Sequence, residues 1–98
     1  MEIKYVRKQQ MPEAELGAQS LAVLDAEKGK YFGLDGTAFR IWQLLEDPIS
    51  IGELCEKLLG EFDISPDICR VQVREFITQL INEGLISKVD ATSDSPKQ

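Results

Sequence analysis

Hydrophobic and polar residues alternate along the first third of the chain. The alternation within residues 1–7 predicts a short strand. Residues 9–17 place Pro12 among mostly polar neighbours and are interpreted as a loop, because proline is excluded from central strands. Apolar residues return from Leu21 to Leu34, with a glycine-containing turn at residues 27–29. This arrangement predicts a β-hairpin.

From residue 35 onward the apolar positions recur with helical spacing and predict three helices. Asp35 is the expected N-cap of the first helix. Ser50 and Glu53 predict a capping box for the second. Ser65 is the expected cap of the third helix, and Gly84 is expected to end it.

The element order predicts an α+β fold that is winged helix-turn-helix-like, with a three-stranded antiparallel sheet followed by three helices. Residues 1–89 are expected to form this one domain, and the polar residues 90–98 a flexible tail. A chain of 98 residues in which 43% are hydrophobic is large enough to bury a core.

Charge and hydropathy exclude several functions. Eleven basic and 17 acidic residues give a net charge of −6, and residues 65–84 carry two cations against three carboxylates. A winged helix that reads nucleic acid needs positive charge, so we expect no nucleic-acid partner. No apolar run reaches the roughly 20 residues of a membrane span, and no signal peptide is evident. We therefore expect a cytoplasmic protein with no membrane partner.

Catalytic and metal-binding patterns are also missing from the sequence. There is no histidine, and the two cysteines, Cys55 and Cys69, lack the spacing of a zinc site. We expect both thiols to be reduced and buried. No nucleophile–base pairing and no phosphate-binding loop is present. The sequence therefore predicts a binding module without catalytic residues, metal or cofactor.

The second strand of the predicted hairpin is one candidate binding site. An exposed strand edge can accept a peptide as an added strand, and a glycine leaves room for the incoming backbone. The alternative is an ordinary hairpin strand with one exposed aromatic side chain. The residues concerned are Lys30, Tyr31, Phe32, Gly33 and Leu34.

A second candidate surface lies on the third helix. Its helical wheel places Cys69, Val73, Phe76 and Leu80 at the centre of the buried face. One flank mixes cations with branched apolar side chains and could form the wall of a peptide groove beside Val73; that flank is Arg70, Arg74, Ile77 and Ile81. The alternative is a solvated helix face whose arginine stems cover the core edge. The fallback site is the opposite flank, with Ile68, Gln72, Gln79 and Glu83.

The segment from Gly29 to Leu45, GKYFGLDGTAFRIWQLL, resembles the PqqD family, and the likeness extends from Ser20 to Ile86. Asp35 replaces the asparagine usual in the family. The resemblance implies a recognition element for ribosomally made, modified peptides. Such an element binds the leader of a precursor peptide as a strand added to the third strand, against the third helix.

The aromatic residues Tyr31–Phe32 and the pair Ile41–Trp42 look more like the stand-alone recognition proteins of lasso-peptide clusters than like PqqD of quinone-cofactor synthesis. The partners implied are the precursor leader peptide, a leader peptidase and a cyclase. Two alternatives stay open. One is a PqqD-type peptide chaperone for a radical enzyme in quinone-cofactor synthesis. The other is a winged-helix regulator that binds nucleic acid.

Overall fold

The computed structural model describes residues 3–8 and 11–90, which form an α+β fold with three helices and two small antiparallel sheets. The strands are β1 (Ile3–Arg7), β2 (Glu13–Gly17), β3 (Ser20–Asp25), β4 (Lys30–Asp35), β5 (Ile49–Ser50) and β6 (Ile86–Asp90). The helices are α1 (Thr37–Leu44), α2 (Ile51–Glu61) and α3 (Pro66–Asn82). The winged-helix-like class expected from the sequence is confirmed.

The predicted hairpin is present as β3 and β4, joined by a turn in which Gly29 adopts a φ of 67°. Its third strand, however, is β2, in the sheet order β2-β3-β4. The interpretation of residues 9–17 as a loop is therefore wrong for Glu13–Gly17. All five residues of β2 are exposed, so the strand buries no apolar side chain of its own and owes its order to pairing with β3.

The first predicted strand, β1, lies in the other sheet, where it pairs with β5 and β6 in the order β5-β1-β6. β6 follows α3 and was not expected from the sequence. Asp90 pairs with Ile3 at the end of β6, so the chain is still ordered at the first residue assigned to the tail. The remaining tail, residues 91–98, lies outside the described residues.

The predicted N-caps are confirmed for α2 and α3. The Ser50 hydroxyl accepts from Glu53 N–H, and the Glu53 carboxylate accepts from Ser50 N–H, which is a complete capping box. The hydrogen bond from Ser50 N–H to the Glu53 carboxylate is the main cause that lowers the pKa of Glu53, and Lys4 makes a smaller contribution. α3 is capped by Ser65 and ends in a Schellman motif, in which Leu85 N–H donates to Leu80 C=O and Gly84 has a φ of 77°.

The expected capping role of Asp35 is wrong. Asp35 is the last residue of β4, and the N-cap of α1 is Gly36, which has a φ of 59° and no side-chain capping bond. The strand passes directly into the helix through this one glycine, whose left-handed backbone other residues adopt only at a cost. This conformation favours glycine at the junction of β4 and α1.

The core lies where the three helices meet the inner face of the β2-β3-β4 sheet. Trp42 is fully buried, and its Nε1–H donates to Glu13 Oε2 at 2.8 Å. The Arg7 guanidinium lies 5.3 Å from the Trp42 ring centroid and 3.6 Å from the same carboxylate oxygen. These contacts fasten β1, β2 and α1 together.

Candidate functional site

β4 is an edge strand of its sheet. Within the described residues it pairs with β3 alone, through a register that runs from Ser20 opposite Asp35 to Asp25 opposite Lys30. In an antiparallel ladder, alternate residues direct their backbone N–H and C=O groups toward one neighbouring strand. Alternate residues of β4 therefore present backbone groups that have no strand partner, as expected from the sequence for Lys30–Leu34.

A groove of about 370 Å³ runs along this free edge, between β4 and α3. Phe32 is half-buried at its base, and Leu34 is buried. We call this feature the β4 groove. It is lined by Tyr31, Phe32, Gly33, Leu34, Asp35, Ala38, Phe76, Gln79, Leu80 and Glu83.

Charged groups lie at the mouth of the β4 groove, near the hairpin turn. Lys30 Nζ is 3.3 Å from Glu83 Oε1 and 5.6 Å from the centroid of the Phe32 ring. Lys28 Nζ donates to the Glu83 backbone carbonyl at 2.9 Å. These contacts join the end of α3 to the hairpin at this end of the groove.

A smaller apolar pocket of about 140 Å³ continues from the β4 groove, since Ala38 and Phe76 line both. It lies among α1, α2 and the first half of α3. Its lining is Thr37, Ala38, Ile41, Leu58, Ile64, Cys69, Gln72, Val73 and Phe76. A volume of this size accommodates one apolar side chain of an extended peptide.

The wall of the β4 groove is the flank of α3 that the sequence analysis treated as the fallback. Gln79 and Glu83 line the groove, whereas Arg70, Arg74, Ile77 and Ile81 do not. Ile77 is only 2% exposed, so the expectation that it offers an open apolar anchor is wrong. Val73 is buried too, but it contributes to the apolar pocket.

The buried face of α3 is rotated toward Ile77 relative to the face predicted from the sequence, and this rotation leaves the opposite flank at the groove. Its buried residues are Cys69, Val73, Ile77 and Leu80, and Phe76 is left half-buried at the groove. Arg70 and Arg74 are exposed, and they line neither the β4 groove nor the apolar pocket. Burial is the main cause that raises the pKa of Cys55. Both cysteines are free and buried, as expected.

The sequence contained a signal for the flank that lines the groove. The flank with Ile77 and Ile81 is apolar, and apolar side chains pack against neighbouring elements. The flank with Gln72, Gln79 and Glu83 is polar at its rim, which is typical of a helix side left open to solvent. The mixture of arginine and isoleucine predicts a groove wall, but the flank that carries it does not line the β4 groove.

Among the described residues, no helix is long and apolar enough to cross a membrane. No group of three or more metal-ligating side chains occurs in residues 3–8 and 11–90 either.

Comparisons with known proteins were made for the whole chain. Residues 20–86 match the family model described as Coenzyme PQQ synthesis protein D (PqqD). No curated protein sequence matches.

Three solved structures share the fold. "TbiB1 in Complex with the TbiA(beta) Leader Peptide" has a TM-score of 0.73 at 23% identity and covers 94% of this chain and 99% of that chain. "Lasso peptide synthetase B1 complexed with the leader peptide" has a TM-score of 0.71 at 22% identity, over 85% and 96% of the two chains. "Heterocyclase in complex with substrate and Cofactor" has a TM-score of 0.59 at 15% identity and covers 95% of this chain but 11% of its own.

The matched segment coincides with the resemblance seen in the sequence between Ser20 and Ile86. It includes the hairpin, all three helices and every residue that lines the β4 groove. Because the family model matches well over half of the chain, the chain belongs to the PqqD family.

Proposed function

We propose that this protein is a non-catalytic adaptor that binds the leader segment of a ribosomally synthesised precursor peptide in the β4 groove. The leader adds to β4 as an antiparallel strand. Backbone hydrogen bonds to the free edge supply affinity, and the apolar lining supplies selectivity. The single observation that carries this proposal is the free edge of β4 directly beside an apolar groove.

The pathway we propose is that of a lasso peptide, with a leader peptidase and a cyclase as the enzymes that receive the precursor. Two structures that share the fold, TbiB1 and a lasso peptide synthetase B1, are complexes with leader peptides. Each of these two chains is matched over nearly its full length. The family description supports the alternative, a peptide chaperone in quinone-cofactor synthesis. The two are distinguished by the precursor peptide that binds.

Within the groove, we propose that Phe32, Leu34 and Phe76 contact apolar leader side chains. One such side chain enters the pocket between Ala38 and Val73. Arg70 and Arg74 do not line the groove, so they give it no cationic wall. Lys30, paired with Glu83 at the mouth, is the cation placed to meet an acidic leader residue.

A titration followed by amide chemical shifts tests the proposal. The labelled protein is titrated with the leader of the precursor encoded beside it, and separately with a quinone-cofactor precursor peptide. We expect the amides of Lys30–Asp35 to shift with the leader. The other edge strand of the same sheet, Glu13–Gly17, is the internal control and should not shift. Shifts confined to β2, or to no strand, would refute strand addition at β4.

A further inference from the structure

A further cavity, of about 340 Å³, lies at the turn end of the β3–β4 hairpin. The β3–β4 turn, the end of α3 and residues between β1 and β2 contribute to its wall. We call it the corner cavity. Unlike the apolar pocket beside the β4 groove, it has a wall rich in charged and polar side chains. That polar lining consists of Lys8, Asp25, Glu27, Lys28, Asn82 and Glu83.

The carboxylate of Asp25 is a buried charge at the wall of the corner cavity. Asp25 is only 8% exposed, because it ends β3 and its side chain lies on the same face as that of the buried Val23. One carboxylate oxygen accepts from Lys28 N–H at 3.3 Å, which is long for such a bond. Within residues 3–8 and 11–90 the other oxygen has no hydrogen-bond partner, and the carboxylate has no ion pair. A buried carboxylate oxygen without a donor costs free energy, so this oxygen is an acceptor for a donor from another molecule.

The charges around Asp25 favour a cation as that donor. Lys28 is already engaged, since its Nζ donates to the Glu83 carbonyl at 2.9 Å and lies 3.8 Å from the Glu83 carboxylate. No ion pair joins Lys8 to Asp25 in the described part of the chain. With Glu27, the lining carries three carboxylates against two ammonium groups. A bound anion would face the buried Asp25 carboxylate, whereas a cation would neutralise it.

The corner cavity also has an apolar side. Met11 and Ala26 line it, and Met11 packs against the hydrophobic core. Lysine and arginine side chains combine an aliphatic stem with a charged head, so each would match both the apolar and the acidic parts of this wall.

The corner cavity adjoins the exit of the proposed peptide site. Glu83 lines both the β4 groove and the corner cavity. A peptide antiparallel to β4 runs with its carboxyl end toward Lys30, the residue that follows the hairpin turn. Asp25 lies on β3, two strand spacings of about 4.8 Å from an added strand, and about three extended residues of 3.3 Å each span that distance.

We propose that the corner cavity binds an arginine or lysine side chain of the precursor, from a position about two to four residues beyond the strand that pairs with β4. The charged head donates to the free oxygen of Asp25, and the stem lies against Met11. The precursor is thereby held at a second point outside the groove, which fixes the register of its strand on β4. This inference rests on the proposed function and adds to it the chemistry of one precursor position.

The test uses the full chain and three peptides from the precursor encoded beside it. The first ends with the strand segment, the second continues for six more residues, and the third carries norleucine in place of each arginine or lysine in that continuation. Asp25→Asn removes the carboxylate charge and keeps an oxygen for Lys28 N–H. Asp63→Asn is the matched control, since Asp63 is exposed and lines none of the cavities described above. Isothermal titration measures every affinity, and thermal unfolding checks each variant.

We expect the parent to bind the second peptide at least about tenfold more tightly than the norleucine peptide, as for a hydrogen bond between charged groups. Asp25→Asn should lose the same factor with the second peptide. It should bind the norleucine peptide and the first peptide within about twofold of the parent. Asp63→Asn should match the parent with all three peptides.

Equal affinity of the parent for the second and the norleucine peptides would overturn the corner cavity as a binding site. Additive losses from the peptide and protein changes would do the same, as would a precursor without arginine or lysine in the continuation. The comparison of peptides on the parent needs no substitution in the protein, so it decides the question even where Asp25→Asn fails to fold. Failure of the parent to bind any of the three peptides would instead refute the proposed function.

Discussion

The two flanks of α3 differ in composition and lie in different surroundings. The flank with Arg70, Arg74 and Ile77 does not line the groove, and Ile77 is buried in the core. The flank with Phe76 and Gln79 faces β4 across an open groove. The comparison teaches that apolar residues on a helix flank indicate packing, whereas a large side chain left half-buried beside a polar rim indicates a surface kept available for a ligand.

The largest effect expected from a substitution on α3 is on the stability of the fold. Ile77→Ala should lower the free energy of unfolding by about 2–5 kcal/mol, because it leaves a cavity in the core. Denaturant titration followed by the fluorescence of the single tryptophan, Trp42, measures this loss. Arg74→Ala on the same flank is exposed and should change stability by less than about 0.5 kcal/mol. Equal midpoints for the parent and Ile77→Ala would show that Ile77 is not a core residue.

The next effect is on peptide affinity. Phe76→Ala removes an aromatic side chain that lines both the groove and the pocket, and should weaken leader binding by about 1.5–3 kcal/mol. Arg74→Ala should cost less than about 1 kcal/mol. Isothermal titration of both variants with one leader peptide compares the flanks, with unfolding curves as the control for Phe76→Ala. A larger loss for Arg74→Ala would move the site to the arginine-bearing flank.

Thiol labelling sharpens the same comparison without altering the core. Burial raises the pKa of Cys55, so its thiolate is scarce at neutral pH and alkylation of the folded protein is slow. A cysteine introduced by Gln79→Cys, on the exposed groove side, should react about tenfold faster or more. Saturating leader should protect that cysteine and leave the native thiols unaffected. Mass spectrometry resolves the sites, and labelling of Cys55 as fast as position 79 would contradict the packing described for α2.

The direction in which burial shifts the Cys55 pKa also predicts how the stability of the fold depends on pH. Since the thiol ionises less readily in the folded state, its contribution to stability is complete below the ordinary thiol pKa of about 8.5 and is lost as pH rises toward the folded-state pKa. The Cys55→Ala variant should therefore lose less stability than the parent between pH 7 and 10. Unfolding curves across that range give the difference, and parallel pH profiles would argue against the burial effect.

The smallest effect is expected at the mouth of the groove. Lys30→Ala breaks an ion pair with Glu83 in which the lysine side chain is half-exposed, so leader affinity should change by about 0–1 kcal/mol. Raising the salt concentration should reduce the difference from the parent. The Phe76→Ala difference should persist at high salt because it arises from apolar burial. A Lys30 effect that is insensitive to salt would point to its contact with the Phe32 ring instead.

Much of the fold was predictable because its signals are local. The hairpin turn at Gly29, the capping box at Ser50 and the helix end at Gly84 each depend on residues within a few positions of one another. The family resemblance between Ser20 and Ile86 was likewise confirmed. These features are determined by short-range hydrogen bonds and backbone preferences, which sequence patterns express directly.

The features that were missed depend on contacts distant in sequence. β2 is fully exposed and is held by pairing with β3 and by the Glu13–Trp42 bond across 29 positions. β1 pairs with β6 at the far end of the chain. The elements packed on each side of α3 determine its rotation about its own axis. A helical wheel therefore predicts the centre of the buried face only to within about one residue. That small rotation decided which flank lines the groove.

The direction of β4 has a consequence for the path of a bound precursor. β4 runs from Lys30 to Asp35, so an antiparallel peptide enters beside Asp35 and its carboxyl end emerges beside Lys30 and the hairpin turn. There the contacts of Lys28 and Lys30 with Glu83 narrow the exit. The segment that follows a leader, which is the part to be processed, would leave the adaptor at this one corner, and the adaptor would thereby fix both the direction and the starting point from which an enzyme reads its substrate.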